Sequence, residues 1–584
     1  VVIVKTSDAA DLTQPIPVTV VGASARTWRY GPGLLLLLAL VLWQVAVAMA
    51  RGESAGQYGL LATDGGLVLL AGTLVALAAF VWALAVDSTA YAVVAIGVVT
   101  VVERVTATLL TDVPIYVWTY RHIGIVDYMI EDHSSPHIQV YGDWPGFFSG
   151  MAWFSTVSGL DPVTVAHWFA PVATAVIALL VGVLVVSAGF GVRAALIAAM
   201  LAVILNWTGQ DYYSPQATGL VLALSILSLL LYSKKAPLAG YLSIPVFAAL
   251  VATHQLTPFW LVFVEVGLVV FNQLRPRWLP LLHGGLLALY VVPRLKQTST
   301  FDFFSGFNLF KNSAVVTGEQ GSDGREFTML LERGLFVGLW VLALVCFVVI
   351  WRRRGAPWGL VIAAFSSVLI LAGQDYGGEA IIRVYLYSIA GCGILVAIVL
   401  AGFFDVDGVG QRAVGVVVTT AFLLGAGAIG LQGYYGGWSY VTVSESQLAH
   451  SRDLFGSSDG RYVIGTIAQP VGWPEGSTAA SVRLRLRDPA YDAVLNAVRD
   501  SLLHRAVATG DDVDQIEKTL PKMGRAHTLY LVLPRQLEAY GEYLGWFPPT
   551  YVPSLIELLA NRPQWSKVVD DEDTVIFEYR PNKG

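Results

Sequence analysis

About thirteen apolar runs follow one another through most of this chain, and most are long enough to cross the roughly 30 Å of a bilayer's hydrocarbon. In lipid, each backbone N–H and C=O must find its partner inside its own segment, so such runs fold as helices. They fall at 33–50, 62–85, 88–110, 164–187, 192–207, 217–232, 239–253, 256–272, 278–294, 334–351, 357–373, 382–402 and 413–431. Composition agrees: over 584 residues the chain is 55% hydrophobic and only 13% charged, with a mean hydropathy of +0.62. A soluble chain of this length does not carry that balance. The expected fold class is therefore a polytopic α-helical membrane protein.

From Ser444 onward the sequence changes character and reads like a soluble domain. Strand-like runs at 462–467, 528–532 and 574–579, with helical patterns at 489–507, 534–544 and 553–561, predict a mixed α/β module. The expected organisation is a segment at 1–32, a membrane domain at 33–431 and a terminal α/β domain at 432–584.

Basic residues predict the orientation. Arg26 and Arg29 place the amino terminus in the cytoplasm, and thirteen crossings then bring Lys234 and Lys235, Arg275 and Arg277, and Arg352, Arg353 and Arg354 to the same side. The same parity puts loops 111–163 and 295–333, the turns 208–216, 254–255 and 374–381, and the terminal domain outside. The polar stretch ahead of the first apolar run carries no cleavable-signal pattern. A net charge of −6 with no basic face argues against a nucleic-acid partner. Cys346 and Cys392 both lie inside apolar segments and read as inert thiols. Arg outnumbering Lys, with abundant Ala, Val and Gly, predicts a GC-rich source such as an actinobacterium.

Candidate chemistry collects in the external segments. Asp112 ends the third apolar run and Tyr116 follows it into a long loop rich in Tyr, Trp, His and carboxylates, where short surface helices are expected. A carboxylate at the water boundary beside a membrane cavity is placed to act as a general base; a solvent-facing Asp at a helix end is the plain alternative. Farther along, Tyr141-Gly-Asp-Trp-Pro-Gly-Phe-Phe148 leads to Ser158-Gly-Leu-Asp161. With Asp112 and Tyr116, this pattern resembles the GT-C superfamily, integral-membrane glycosyltransferases that use polyprenyl-phosphate-linked sugars, such as protein mannosyltransferases and aminoarabinose transferases. The family's acidic loop usually follows its first membrane helix; here it follows the third, as two additional amino-terminal helices would produce.

That resemblance implies a GT-C-like membrane domain and makes Asp112 the catalytic base, with Asp127, next to Tyr128, and Asp143, next to Trp144, as substitutes. It also makes Asp211 a second acidic site with Tyr212 beside it. Asp211 would bind the acceptor, position the phosphate or hold a divalent cation such as Mg²⁺ or Mn²⁺; otherwise it caps the helix that starts near Ser214-Pro215. The tetrapeptide Gly209-Gln-Asp-Tyr212 recurs as Gly373-Gln-Asp-Tyr376. Glu379 and Arg383 stand four apart at an outer helix end, either as an i,i+4 salt bridge or with the guanidinium free for a phosphate. His254 and Gln255 occupy an outer turn, to bind substrate or merely to tie the loop. Glu265, deeper in its helix, is expected to be paired or neutral. His122, His133 and His137, spaced eleven and four apart without Cys, do not make a structural-zinc pattern.

The expected activity is inverting transfer of a sugar from a polyprenyl-phosphate donor to an envelope glycan, lipid or protein on the external face of the plasma membrane. A transporter or flippase would need ionisable groups near mid-bilayer and symmetry between halves. A non-catalytic envelope scaffold is the third reading.

Overall fold

The computed structural model describes residues 23–295, 321–372, 380–406, 408–456, 462–468, 471–487, 491–493, 505–523 and 528–581. Each of the thirteen apolar runs is helical there. Eight helices are long and apolar enough to cross a membrane: Tyr30–Ala50, Asp64–Ala85, Thr89–Leu110, Phe169–Ser187, Pro215–Tyr232, Asp323–Arg354, Ala380–Gly402 and Val409–Val441. Five shorter apolar helices lie between them, Val192–Ile204, Leu238–Thr253, Thr257–Val270, Leu279–Arg294 and Trp358–Leu371. Four of the long helices start at a local cap. Thr63, Ser88, Ser214 and Ser322 each accept the orphan N–H of a first helical turn. The helix expected at 334–351 is longer than its apolar run, because Ser322 caps it at Asp323 and its first turn is acidic. The rest of loop 295–333 lies mostly outside the described residues.

Helix Ala380–Gly402 is the most enclosed, with Gly391 pressed on the backbone of Ala363 and Ala364. The long loop after the third span folds into the expected short helices, Trp118–Asp132, Gln139–Asp143, Gly146–Ser158 and Pro162–His167. Their apolar faces share a small core with Tyr213, Val443, Leu448 and Val482, so this layer sits between the bundle and the terminal domain.

The terminal domain is built on a five-stranded sheet in the order β2-β1-β3-β5-β4, with β1 (Tyr462–Thr466), β2 (Tyr491–Ala493), β3 (Thr528–Pro534), β4 (Trp565–Asp570) and β5 (Thr574–Tyr579). β1 runs parallel to β2 and β3, and β5 antiparallel to β3 and β4. β1, β3 and β5 fall where the sequence places strands. Tyr491–Ala493 lies inside a run expected to be helical and is a strand instead: it pairs with Ile464, Gly465 and Thr466 at the sheet edge, tertiary pairing overriding local pattern. β4, with an exposed central stretch, carries no clean alternation and was not expected.

Candidate functional site

The third span is not a regular helix. Between Thr89–Thr100 and Thr106–Leu110 it passes through a π-helical turn, Val101–Val105, that carries Glu103 and Arg104. Such turns reset the direction of side chains within a helix and mark functional segments. A guanidinium in an apolar helix is costly unless every donor finds an acceptor. Arg104 Nε donates to Asp211 Oδ2 at 2.8 Å and Nη1 to Glu103 Oε2 at 3.5 Å. Nη2 donates to the carbonyls of Asn206 at 2.7 Å and Val203 at 3.4 Å. Those carbonyls close the C-terminal end of Val192–Ile204, where intrahelical donors run out, so Arg104 also caps that helix. Its guanidinium lies 4.0 Å from the centre of the Tyr434 ring.

Asp211 is fixed from two sides, since Thr174 Oγ1 donates to the same Oδ2 at 2.8 Å. The carboxylate is 1% exposed, and its other oxygen, Oδ1, has no partner among the described residues. It lines a cavity of about 250 Å³ at one end of the bundle, with Arg104, Tyr116, His167, Tyr212, Glu332 and Tyr440 among the walls. The alternative of Asp211 as a helix cap is settled by Ser214, whose Oγ accepts from Ala217 N at 3.3 Å, with Pro215 opening the helix.

Two aromatic walls come from distant segments. Tyr116 and Tyr212 meet with ring centres 4.5 Å apart, and Tyr212 stacks on His122 at 5.8 Å. Burial lowers the His122 imidazole to about pKa 4, so the neutral ring donates through Nδ1 to the Tyr213 carbonyl, 2.7 Å away. On the other wall, Tyr440 lies against Tyr540 and Tyr543 of the terminal domain. His167 and Thr108 tie the entrance: His167 Nε2 meets the Thr108 carbonyl at 3.0 Å, and Thr108 Oγ1 donates to the His167 carbonyl at 3.2 Å.

The structure thus brings Tyr116, Asp211 and Tyr212 to one cavity. Asp112 lies beside it: its neighbour Thr111 lines the space, while Asp112 is exposed and outside the lining. Asp127 is half-buried and its Oδ2 accepts from Ala479 N at 2.9 Å, capping a terminal-domain helix; burial raises its pKa. Tyr128 lies 5.9 Å from the Arg483 guanidinium. Asp143 gives its backbone carbonyl to Tyr290 at 2.8 Å, and Trp144 is buried 6.1 Å from the same ring.

A second polar cluster connects to the Asp211 segment through Gln216. Gln216 Nε2 donates to Tyr387 Oη at 2.9 Å, Tyr387 Oη meets Thr257 Oγ1 at 2.7 Å, and Thr257 Oγ1 meets His254 Nδ1 at 2.8 Å. Arg383, buried one turn before Tyr387, acts electrostatically on His254. Gln255 is half-buried at the same turn. Glu379 and the second Gly-Gln-Asp-Tyr lie outside the described residues. Glu265 is paired as expected, with Oε1 2.6 Å from His283 Nδ1.

Sequence reasoning passed over Glu103 and Arg104, His167, Thr174 and Glu332. The signal for the first two was present: adjacent opposite charges in the middle of an apolar run are functional candidates by default.

No protein-family model and no curated protein matches the sequence. Solved structures do. The apo oligosaccharyltransferase of Archaeoglobus fulgidus is similar at a TM-score of 0.52 with 12% identity, over 79% of this chain and 71% of that one. The oligosaccharyltransferase AglB of the same organism, in complex with an inhibitory peptide and a dolichol-phosphate, gives a TM-score of 0.51 with 12% identity and the same coverage. ArnT from Cupriavidus metallidurans bound to undecaprenyl phosphate covers 96% of this chain at 12% identity, but at a TM-score of 0.41 that likeness supports no argument. The chain therefore has a GT-C-like fold, a polytopic helical membrane domain followed by a mixed α/β domain, shared with an archaeal oligosaccharyltransferase.

Proposed function

We propose that the protein transfers a sugar from a polyprenyl-phosphate donor to a hydroxyl-bearing envelope acceptor, a glycan, lipid or protein, at the Asp211 cavity. The observation that carries this reading is the buried Asp211 carboxylate in the cavity wall, one oxygen held by Arg104 and Thr174 and the other without a hydrogen-bond partner among the described residues. Two further facts support it: the fold is similar to that of an archaeal oligosaccharyltransferase, and AglB, an oligosaccharyltransferase of the same organism with a similar fold, has been seen with a dolichol-phosphate.

In this reading the cavity faces outward at the plasma membrane and the terminal domain is extracytoplasmic. The donor tail stays in hydrocarbon while the reacting groups meet at the water boundary. The acceptor hydroxyl gives its proton to Asp211 Oδ1 as its oxygen attacks the anomeric carbon opposite the phosphate. The bond from that carbon to the phosphate oxygen breaks, polyprenyl phosphate leaves, and the configuration inverts. Arg104 supplies the counter-charge that keeps the carboxylate in place. Arg383, beside His254, holds the donor phosphate, since a guanidinium fork matches its oxygens. Tyr116 and Tyr212 give the sugar ring a flat wall. Asp112, at the rim, is the competing base. Among the described residues no three His, Cys, Asp or Glu groups come together as a metal set, and no step here runs through a metal ion.

The test is transfer of radiolabelled sugar from a panel of polyprenyl-phosphate donors by the purified protein, with envelope acceptors supplied. Asp211→Asn is expected to lower transfer about 10²–10⁴-fold, the share of a general base, while Asp112→Asn stays within a few-fold of wild type. The reverse pattern returns the base to Asp112; an Asp211→Asn variant with full activity sinks the cavity assignment.

A further inference from the structure

At the end of the bundle away from Asp211, basic residues meet two different environments. Arg193 bridges Asp87 and Asp405, and Arg412 reaches Asp87 at 3.3 Å, so these charges are compensated. Lys234 and Lys235 are not. Neither has a carboxylate partner among the described residues; Lys234 Nζ donates only to Gln273 Oε1 at 3.5 Å, and Lys235 Nζ lies 5.9 Å from the centre of the Tyr232 ring.

Both lysines open onto a cleft of about 430 Å³ between helix ends, whose remaining walls include Phe190, Leu231, Gln273 and Leu360 and no acidic residue. The cleft spans the point where Phe169–Ser187 and Pro215–Tyr232 stop and Trp358–Leu371 begins. Tyr232, Phe271, Trp278 and Trp351 are exposed at or next to the ends of their helices, and such aromatic side chains gather at headgroup depth. The ammonium groups therefore stand at the polar boundary, with Phe190, Leu231 and Leu360 on the cleft walls beside them.

We propose that this cleft binds the headgroup of an anionic phospholipid. Its phosphate oxygens accept from Lys234 and Lys235, and the glycerol and first acyl carbons lie on Phe190, Leu231 and Leu360. Basic pockets between membrane helices recognise anionic headgroups by this division of labour. A free phosphate ion would use the lysines and gain nothing from the apolar wall, which is why the geometry favours a lipid. The inference does not depend on sugar transfer.

Delipidated full-length protein in neutral detergent is mixed with phosphatidylglycerol or phosphatidylcholine, and retained lipid is counted by native mass spectrometry. Wild type is expected to retain phosphatidylglycerol in preference to phosphatidylcholine. Lys234→Gln/Lys235→Gln is expected to reduce that retention at least about tenfold. Lys234→Arg/Lys235→Arg is expected to keep it, which separates lost charge from lost structure, and so is Arg353→Gln/Arg354→Gln at the same end. Equal retention of both lipids by wild type, undiminished retention in the Gln variant, equal loss in the arginine variant, or displacement of the lipid by inorganic phosphate would each overturn the proposal.

Discussion

Two of the protein's arginine–carboxylate pairings have nearly the same geometry and opposite surroundings. In the membrane domain, Arg104 and Asp211 meet at 2.8 Å with each side chain 1% exposed. Between the surface helix Trp118–Asp132 and the terminal domain, Arg483 meets Glu131 at 2.6 Å and Asp132 at 2.9 Å, with side chains between 33% and 49% exposed. Distance alone would rank the pairs alike. Environment separates them, because buried charges have lost their hydration and depend on each other, whereas exposed charges exchange one another for water at little net gain. The buried pair should set whether the cavity forms; the exposed pair should set little.

Removing Arg104 is the strongest way to break this contrast. Arg104→Met would leave Glu103 and Asp211 buried without their counter-charge, and would remove the guanidinium donor from the Asn206 carbonyl, while the Val203 carbonyl keeps its bond from Asn206 N. A loss of about 3–5 kcal/mol is expected, as for other buried pairs deprived of one partner, read as a sharply lower thermal midpoint in detergent. Arg104→Lys keeps the charge but not the fork, and should fall between. A midpoint for Arg104→Met within about 2 °C of wild type, a shift well under the expected one, would mean the network is solvated and the contrast is empty.

The buried site was only half legible beforehand, for physical reasons. Apolar runs set the thirteen helices because lipid leaves backbone groups no other partner. Asp211 and Tyr212 stood out as polar residues at a helix end, and Tyr116 as an aromatic near Asp112. Arg104 did not, because nothing local shows that a residue in the third span meets a turn more than a hundred positions later. The π-helical turn that aims it is likewise a product of tertiary contact. The resemblance makes Asp127 a substitute base, yet its oxygen caps a helix some 350 residues away, a partnership no sequence spacing encodes. In the terminal domain, Tyr491–Ala493 became a strand by pairing with β1, again a long-range effect.

The next test moves to the interface and away from charge. Gly124, on the surface helix, faces the Gly476 carbonyl so closely that an added Cβ would sit 1.7 Å from its oxygen. Gly124→Ala must push the terminal domain off the helix or distort both backbones, at a cost of about 1–3 kcal/mol. Hydrogen exchange should then rise in Trp118–Asp132 and in Ala479–Arg487, which Asp127 caps, while the Val192–Ile204 end held by Arg104 stays protected. Unchanged exchange at both interface helices would show that the two surfaces are not held in contact in solution.

The smallest effect should come from Arg483→Gln. It removes both ion pairs to Glu131 and Asp132 at once, but these groups are well hydrated, and exposed pairs contribute about 0–1 kcal/mol and less as salt rises. Arg121 still reaches Glu475 at 2.6 Å on the same interface with far less exposure, and the Gly124 contact is untouched. Exchange in the surface helix and the thermal midpoint should therefore match wild type at physiological salt and differ slightly only at low salt. If Arg483→Gln instead loosened the interface as much as Gly124→Ala, the exposed charges would be acting as a cooperative unit with Arg121 and Glu475. Exposure would then be the wrong variable for ranking this protein's ion pairs, and the number of charges sharing one network the right one.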